Sequence, residues 1–290
     1  MKKAILFVLM LIFIGSNVYS DITIEASKKA IDLWFYTLLP SFLFPLIIVR
    51  LIFPYHLLSI LLKPFHKIIE FLFHMDLYSF ELVLSSLFLG FPSSSIHIEE
   101  HIQHLEKKQY ERILYIPFMA STSFILLSLS TVYNQKSVQT LFFIQIITIF
   151  LLLFLTRKTH ITLNIKKENI AFFEQFSSSI QKSFHILFNI LAYILIVYVI
   201  IDLICIPLPN FAKLVFKLTS EFASGCFYIA SSAFPYKLKM MLTTLLLSYG
   251  GLCVHMQIIS SLSNKFQYKS FLKYRIYHMC ISTILAFLIC

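Results

Sequence analysis

The sequence predicts an all-α, polytopic integral membrane protein of about nine transmembrane helices plus one re-entrant or broken helical segment. Three observations predict it. Hydrophobic residues make up 58% of the chain and charged residues only 13%, where a soluble domain carries about 25% charged. Apolar runs that approach the ~20 residues needed to span a hydrocarbon core recur along the whole chain. The basic residues behind the formal net charge of +10 are gathered in the short polar gaps between those runs.

That distribution decides what the charge means. In a soluble protein +10 would point to nucleic acid; here it reads as cytoplasmic loops obeying the positive-inside rule, and no nucleic-acid partner is expected. The five cysteines, Cys205, Cys226, Cys253, Cys280 and Cys290, form no CxxC pair and lie in apolar surroundings. They read as small membrane-helix residues, neither a zinc pattern nor a disulfide framework.

The chain reads as one membrane domain over 1–290. Lys2 and Lys3 precede an apolar run over 4–14, so residues 1–20 are a first span or a signal-like segment; Val18-Tyr19-Ser20 would suit a signal peptidase. An uncleaved span is preferred because the rest of the chain is itself membrane-embedded. Further apolar segments follow at 30–53, 55–73, 78–91, 113–132, 138–155, 184–206, 240–262 and 271–289. With no water to pair the backbone, these are helices. Residues 93–112 and 157–182 are read as cytoplasmic connecting segments, and 171–181 as a separate interfacial helix.

Orientation follows from charge. A tight turn at 133–136 joins two spans into a hairpin whose open ends are both basic: Lys107, Lys108 and Arg112 on one side, Arg157, Lys158, Lys166 and Lys167 on the other. Both ends face the cytoplasm, as do Lys2 and Lys3. The basic loop over 265–275 is cytoplasmic only if residues 211–236 do not fully cross, so that stretch is re-entrant or broken. Such a segment is the best sequence pointer to a binding site.

Glycine is scarce, five in all. Four fall in three short motifs: Gly90-Phe91-Pro92-Ser93, Glu221-Phe222-Ala223-Ser224-Gly225, and Gly250-Gly251 followed by His255 and Gln257. Helix breakers at membrane depth free backbone groups for a solute. The candidate substrate-binding residues are therefore Gly90, Pro92, Ser93, Gly225, Gly250, Gly251, His255 and Gln257. Glu221, an intramembrane carboxylate, is assigned to ion or proton coupling, or to a structural pairing with His255 or a lysine. The last two motifs are expected to meet at a cavity. Asp32 and Asp202 read as interfacial anchors.

His97-Ile98-Glu99-Glu100-His101 matches the H-x-x-E-H pattern of inverted zinc proteases. It opens a polar stretch running through His104 and Lys108, which reads as a solvated helix face, so no metal, cofactor or catalytic residue is assigned and no enzyme is expected.

With these motifs in place, the chain resembles the YlbJ-like (SpoVV-like) sporulation integral membrane proteins, which carry nucleoside-recognition or Gate-type domains. The resemblance rests on Leu33-Trp34 with Leu39-Pro40-Ser41 and Phe44-Pro45, on Gly90-Phe91-Pro92, on Leu218 to Gly225, on Tyr249 to Gln257 and on Arg275-Ile276-Tyr277-His278. Where the family has a Gly-Ala and an asparagine-rich region, this chain has Ser93-Ser94-Ser95 and Phe118-Met119-Ala120-Ser121-Thr122-Ser123. The resemblance implies export of a small anionic solute, dipicolinic acid, across the outer forespore membrane of a bacterium. Two other readings stay open: a transporter of a nucleoside-like solute coupled to an ion, and a non-transporting assembly factor among sporulation membrane proteins. Whether the chain forms an oligomer is equally open.

Overall fold

The computed structural model describes residues 2–163 and 171–290, and within them every regular element is helical. Lys166 and Lys167 of the orientation argument lie outside the described residues. In chain order the helices are α1 Lys2–Val18, α2 Ser20–Leu33, α3 Leu39–Ile52, α4 Leu57–Leu62, α5 His66–Phe73, α6 Leu77–Leu89, α7 Ser93–Ile102, α8 Lys107–Tyr115, α9 Gln135–Leu155, α10 Phe172–Cys205, α11 Asn210–Ser220, α12 Phe222–Ser231, α13 Tyr236–Tyr249, α14 Gly251–Ser261 and α15 Tyr268–Ile289.

Five stretches among the described residues are long and apolar enough to cross a membrane: Ser20–Tyr55, Gln135–Leu155, Phe172–Cys205, Tyr236–Ser261 and Tyr268–Ile289. The other expected spans are shorter or broken, for local reasons. The apolar run 55–73 is two short helices because Pro54 and Pro64 each remove a backbone donor and His56 turns left-handed at φ 53°. The run 113–132 stops as a helix at Tyr115, just before Pro117, and resumes as a π-type turn at Phe124–Ser128. Tyr236–Ser261, one of the five, is itself interrupted at Gly250 and Gly251, where α13 ends and α14 begins. Residues 171–181 are no separate interfacial helix: they are the first turns of the 34-residue α10.

Side-chain caps fix several starts. Asp76 accepts from the Ser79 amide (2.9 Å) and Asn134 from the Ser137 amide (2.8 Å), each satisfying an orphan donor of a first helical turn. The Asn134 cap follows a tight turn at Tyr133, where the sequence places its hairpin.

Two groups of helices pack around the broken segments. α10 lies along α2 and α3, and Trp34 Nε1 donates to the Leu187 carbonyl at 2.8 Å. α15 packs on α13 and α9. Between them Gln145 Nε2 donates to Ser248 Oγ (3.1 Å), which lies 2.7 Å from Ser282 Oγ. Buried hydroxyl and amide contacts of this kind join helices where the surroundings give no hydrophobic drive.

Candidate functional site

Helix breaks come in two pairs, each sealed by a glycine. In the first pair the α6–α7 break lies against the non-helical segment after α8. Gly90 has φ +63°, and a Cβ there would sit 2.2 Å from the Ser121 backbone nitrogen, so no other residue fits. The Phe91 amide donates to the Met119 carbonyl at 2.9 Å. In the second pair the α13–α14 break lies against the α11–α12 break: a Cβ on Gly251 would be 3.0 Å from both the Phe222 nitrogen and the Ser220 carbonyl oxygen. Thus the Glu221–Gly225 and Gly250–Gln257 motifs do come together, backbone to backbone.

Phenylalanines lock the two crossings to each other. Phe91 stacks on Phe118 with centroids 4.8 Å apart and meets Phe222 edge-on at 4.8 Å. Phe124 meets Phe222 at 5.0 Å, and Phe118 meets Phe271 at 5.0 Å. Each of Phe91, Phe118 and Phe222 stands next to the residue that breaks its helix, Pro92, Pro117 and Glu221. The glycines and prolines were legible as breakers; their aromatic neighbours were missed, although adjacency to a breaker was the available signal.

Charged side chains satisfy the exposed helix ends according to sign. Glu221 caps α12: its carboxylate accepts from the Ala223 amide (3.0 Å) and the Ser224 amide (2.7 Å), where the helix dipole favours negative charge. Glu221 is only 2% exposed. At the opposite polarity, Arg275 from α15 is fully buried and donates to the carbonyls of Tyr115 and Phe118, with a longer contact to Ser248 at 3.4 Å. Its guanidinium also lies over the Phe118 ring, 4.4 Å from the centroid. Sequence reasoning gave Arg275 no role in the site. Its signal was there: an arginine within an apolar helix must be paired or functional.

A cavity of about 450 Å³ opens beside the second crossing, lined among others by Lys29, Tyr198, Asp202, Lys217, Glu221 and Ser224. Ser220 and Gly225 also border it. Asp202 is therefore more than an interfacial anchor: it faces the cavity and pairs with Lys217 at 2.7 Å. Tyr198, Lys29 and Lys217 are cavity residues that the sequence alone did not reveal, because they come from three different helices.

The remaining candidates stand elsewhere. Gly90, Pro92, Ser93, Gly250, Gly251, His255 and Gln257 are not among the residues lining that cavity. Gly90, Pro92 and Ser93 belong to the first crossing, where the Ser93 hydroxyl is buried without a hydrogen-bond partner. His255 does not pair with Glu221 or a lysine. Its Nδ1 lies 3.0 Å from the Tyr268 hydroxyl and its Nε2 lies 2.9 Å from the Tyr249 carbonyl. Gln257 is buried; its amide donates to Cys253 Sγ at 3.4 Å and its Oε1 is unpartnered.

No protein-family model matches the chain, and neither curated proteins nor solved structures offer a similar one. The functional reading therefore rests on the residues themselves.

The expected solvated face at 97–101 needs correction. α7 is folded inward, and His97 is only 3% exposed. Phe53 packs edge-on against it with centroids 4.5 Å apart and lies 5.0 Å from the His101 ring. Glu99 is buried too, accepting from the Tyr110 hydroxyl at 2.6 Å and the Ser263 amide at 3.0 Å. The helix is buried because Ile98 and Ile102 join the apolar core and Glu99 finds partners on α8 and after α14.

Proposed function

We propose that this chain is a bacterial membrane transporter for a small anionic solute, with dipicolinic acid as the substrate that the sequence resemblance suggests. The observation that carries the reading is the juxtaposition of a carboxylate-capped helix break with a cavity of about 450 Å³. Cavities of about 300–1,000 Å³ are the usual size for small-molecule sites. Broken helices that meet inside an apolar chain are the construction by which transporters offer backbone groups to a solute at membrane depth.

In this reading the short helices flanking each break act as half-spans and complete about nine crossings of the bilayer. Lys29 and Lys217 attract the solute anion. Each already has a carboxylate, Glu25 at 2.6 Å and Asp202 at 2.7 Å, so the solute exchanges one carboxylate partner for another instead of meeting a bare charge. Glu221 occupies the first amides of α12. A proton or cation arriving at Glu221 weakens that hold and frees the helix N-terminus for the solute carboxylate. Glu221 thereby couples solute to ion, as an intramembrane carboxylate does. Tyr198 and Ser224 supply neutral hydrogen-bonding groups that orient the solute.

The test is uptake of labelled dipicolinate by proteoliposomes holding the full chain. Uptake above that of protein-free liposomes, abolished by Glu221→Gln in a variant that still reconstitutes, supports the proposal. Equal uptake with and without protein, or by wild type and variant, rejects it. Stronger competition by a nucleoside than by a pyridine dicarboxylate would move the substrate to the nucleoside class.

A further inference from the structure

One turn of α7, away from the cavity at Glu221, carries three metal-ligating side chains close together. His97, Glu100 and His101 each offer one ligand atom, and these atoms all lie within 4.8 Å of one another. We propose that they form a site for a zinc-class divalent cation, with the fourth position open to water.

Four observations carry it. His97 and His101 are spaced i, i+4 and so share a helix face; their ring centroids are 5.3 Å apart. The Nε2 of His97 is buried and has no hydrogen-bond partner. A buried ring nitrogen without a partner is costly, and a metal ion would remove that cost. The two-imidazole, one-carboxylate donor set is a known zinc combination, and a three-ligand set leaves a position for water. Finally, the cluster is graded in exposure: His97 is buried, His101 intermediate and Glu100 exposed, which gives an ion a path inward along the ligands.

The geometry needs a small adjustment. Bonds of about 2.0–2.2 Å in a tetrahedral site bring ligand atoms to about 3.3 Å from one another, so the side chains must close by rotation of Glu100 and His101, the less buried pair. Phe53 keeps water off the buried side of the imidazoles. One neighbour opposes binding. Arg50 Nη1 lies 3.8 Å from Glu100, so the ion and the guanidinium compete for one carboxylate. Metal binding therefore detaches α7 from Arg50 on α3. Glu99, next in the sequence, is not a ligand, because the Tyr110 hydroxyl and the Ser263 amide hold it. The proposal concerns binding and assigns no hydrolytic step.

The experiment is a zinc titration of the chelator-treated full chain in detergent, followed by equilibrium dialysis. One zinc ion per chain is expected. Glu100→Gln and His101→Ala alter the less buried ligands, and size-exclusion chromatography shows whether they stay folded; each is expected to lose stoichiometric zinc while eluting as wild type does. Three results overturn the proposal: a folded wild-type chain that binds no zinc at stoichiometry, folded variants that bind as wild type does, or binding abolished instead by His66→Ala and His160→Ala, which flank Glu70 at 3.6 Å each. Transport enters none of these readouts, so the outcome is independent of the function proposed above.

Discussion

The two crossings use the same joint and end in different chemistry. At each, a glycine lets one broken helix touch the backbone of another: Gly90 on Ser121, Gly251 on Ser220 and Phe222. The first is closed by aromatic stacking, and its segment after α8 gives up its carbonyls to the buried Arg275. The second holds a buried carboxylate and borders a cavity with two lysines. The difference teaches that a helix break is not in itself a binding site. A break closed by aromatic stacking, with its carbonyls paired to a guanidinium, is a weld; one beside open volume, with a charge of its own, has chemistry left to offer. In the proposed transporter, the second crossing is the site and the first its anchor.

The sharpest way to break this comparison is at the anchor. Gly90→Ala places a methyl group 2.2 Å from a backbone nitrogen that cannot step aside, at φ +63°. The expected loss is about 3–5 kcal/mol or failure to accumulate in the membrane. Gly15→Ala, whose nearest neighbour would be 4.0 Å away, is expected to stay within about 0.5 kcal/mol of wild type. Thermal unfolding in detergent compares the two, and similar melting temperatures would show that the first crossing is not tightly joined.

Next in size is the guanidinium that serves both crossings. Arg275→Gln leaves the Tyr115 and Phe118 carbonyls without their strongest donor, and each buried unsatisfied group costs about 1–3 kcal/mol. A drop of about 3 kcal/mol in stability is expected. If the variant melts like wild type, the carbonyls have other partners and the first crossing is not welded as described. Glu221→Gln is the mirror test at the second crossing. A glutamine oxygen still accepts from one of the two α12 amides, but its NH2 faces the other, so stability is expected to fall by about 1–2 kcal/mol, while solute uptake is lost.

How much of this was legible follows from where each signal sits. The helical, membrane-type class was readable because composition and segment length report it directly. The breaks were readable because glycine, proline and a lone carboxylate are rare in apolar helices. Their meeting was readable only as a guess from shared content, and it holds at Gly251 and Phe222. The cavity wall was not readable: Lys29, Tyr198 and Lys217 come from α2, α10 and α11, and no local pattern ties them together. The inward turn of α7 was hidden for the same reason. A polar stretch reads as solvated unless its partners are known, and the partners of Glu99 are Tyr110 on α8 and Ser263 beyond α14.

The gentlest test is a cysteine substitution, which addresses the comparison most directly. Ser121 and Ser224 each lie near a glycine-sealed break, one at each crossing. Ser121 is 1% exposed and packed against Gly90, whereas Ser224 borders the cavity at Glu221. Cysteine at either position differs from serine by one atom and is expected to shift stability by less than about 1 kcal/mol. With the native cysteines replaced, Ser224→Cys in the reconstituted chain is expected to react with a small charged thiol reagent, and dipicolinate is expected to slow that reaction. Ser121→Cys is expected to remain unmodified over the same time. Reaction at both positions would mean that the first crossing also opens to water and that the division into anchor and site is wrong. Reaction at neither would mean that the cavity is closed to solutes of this size, and the transporter reading would lose its entry path.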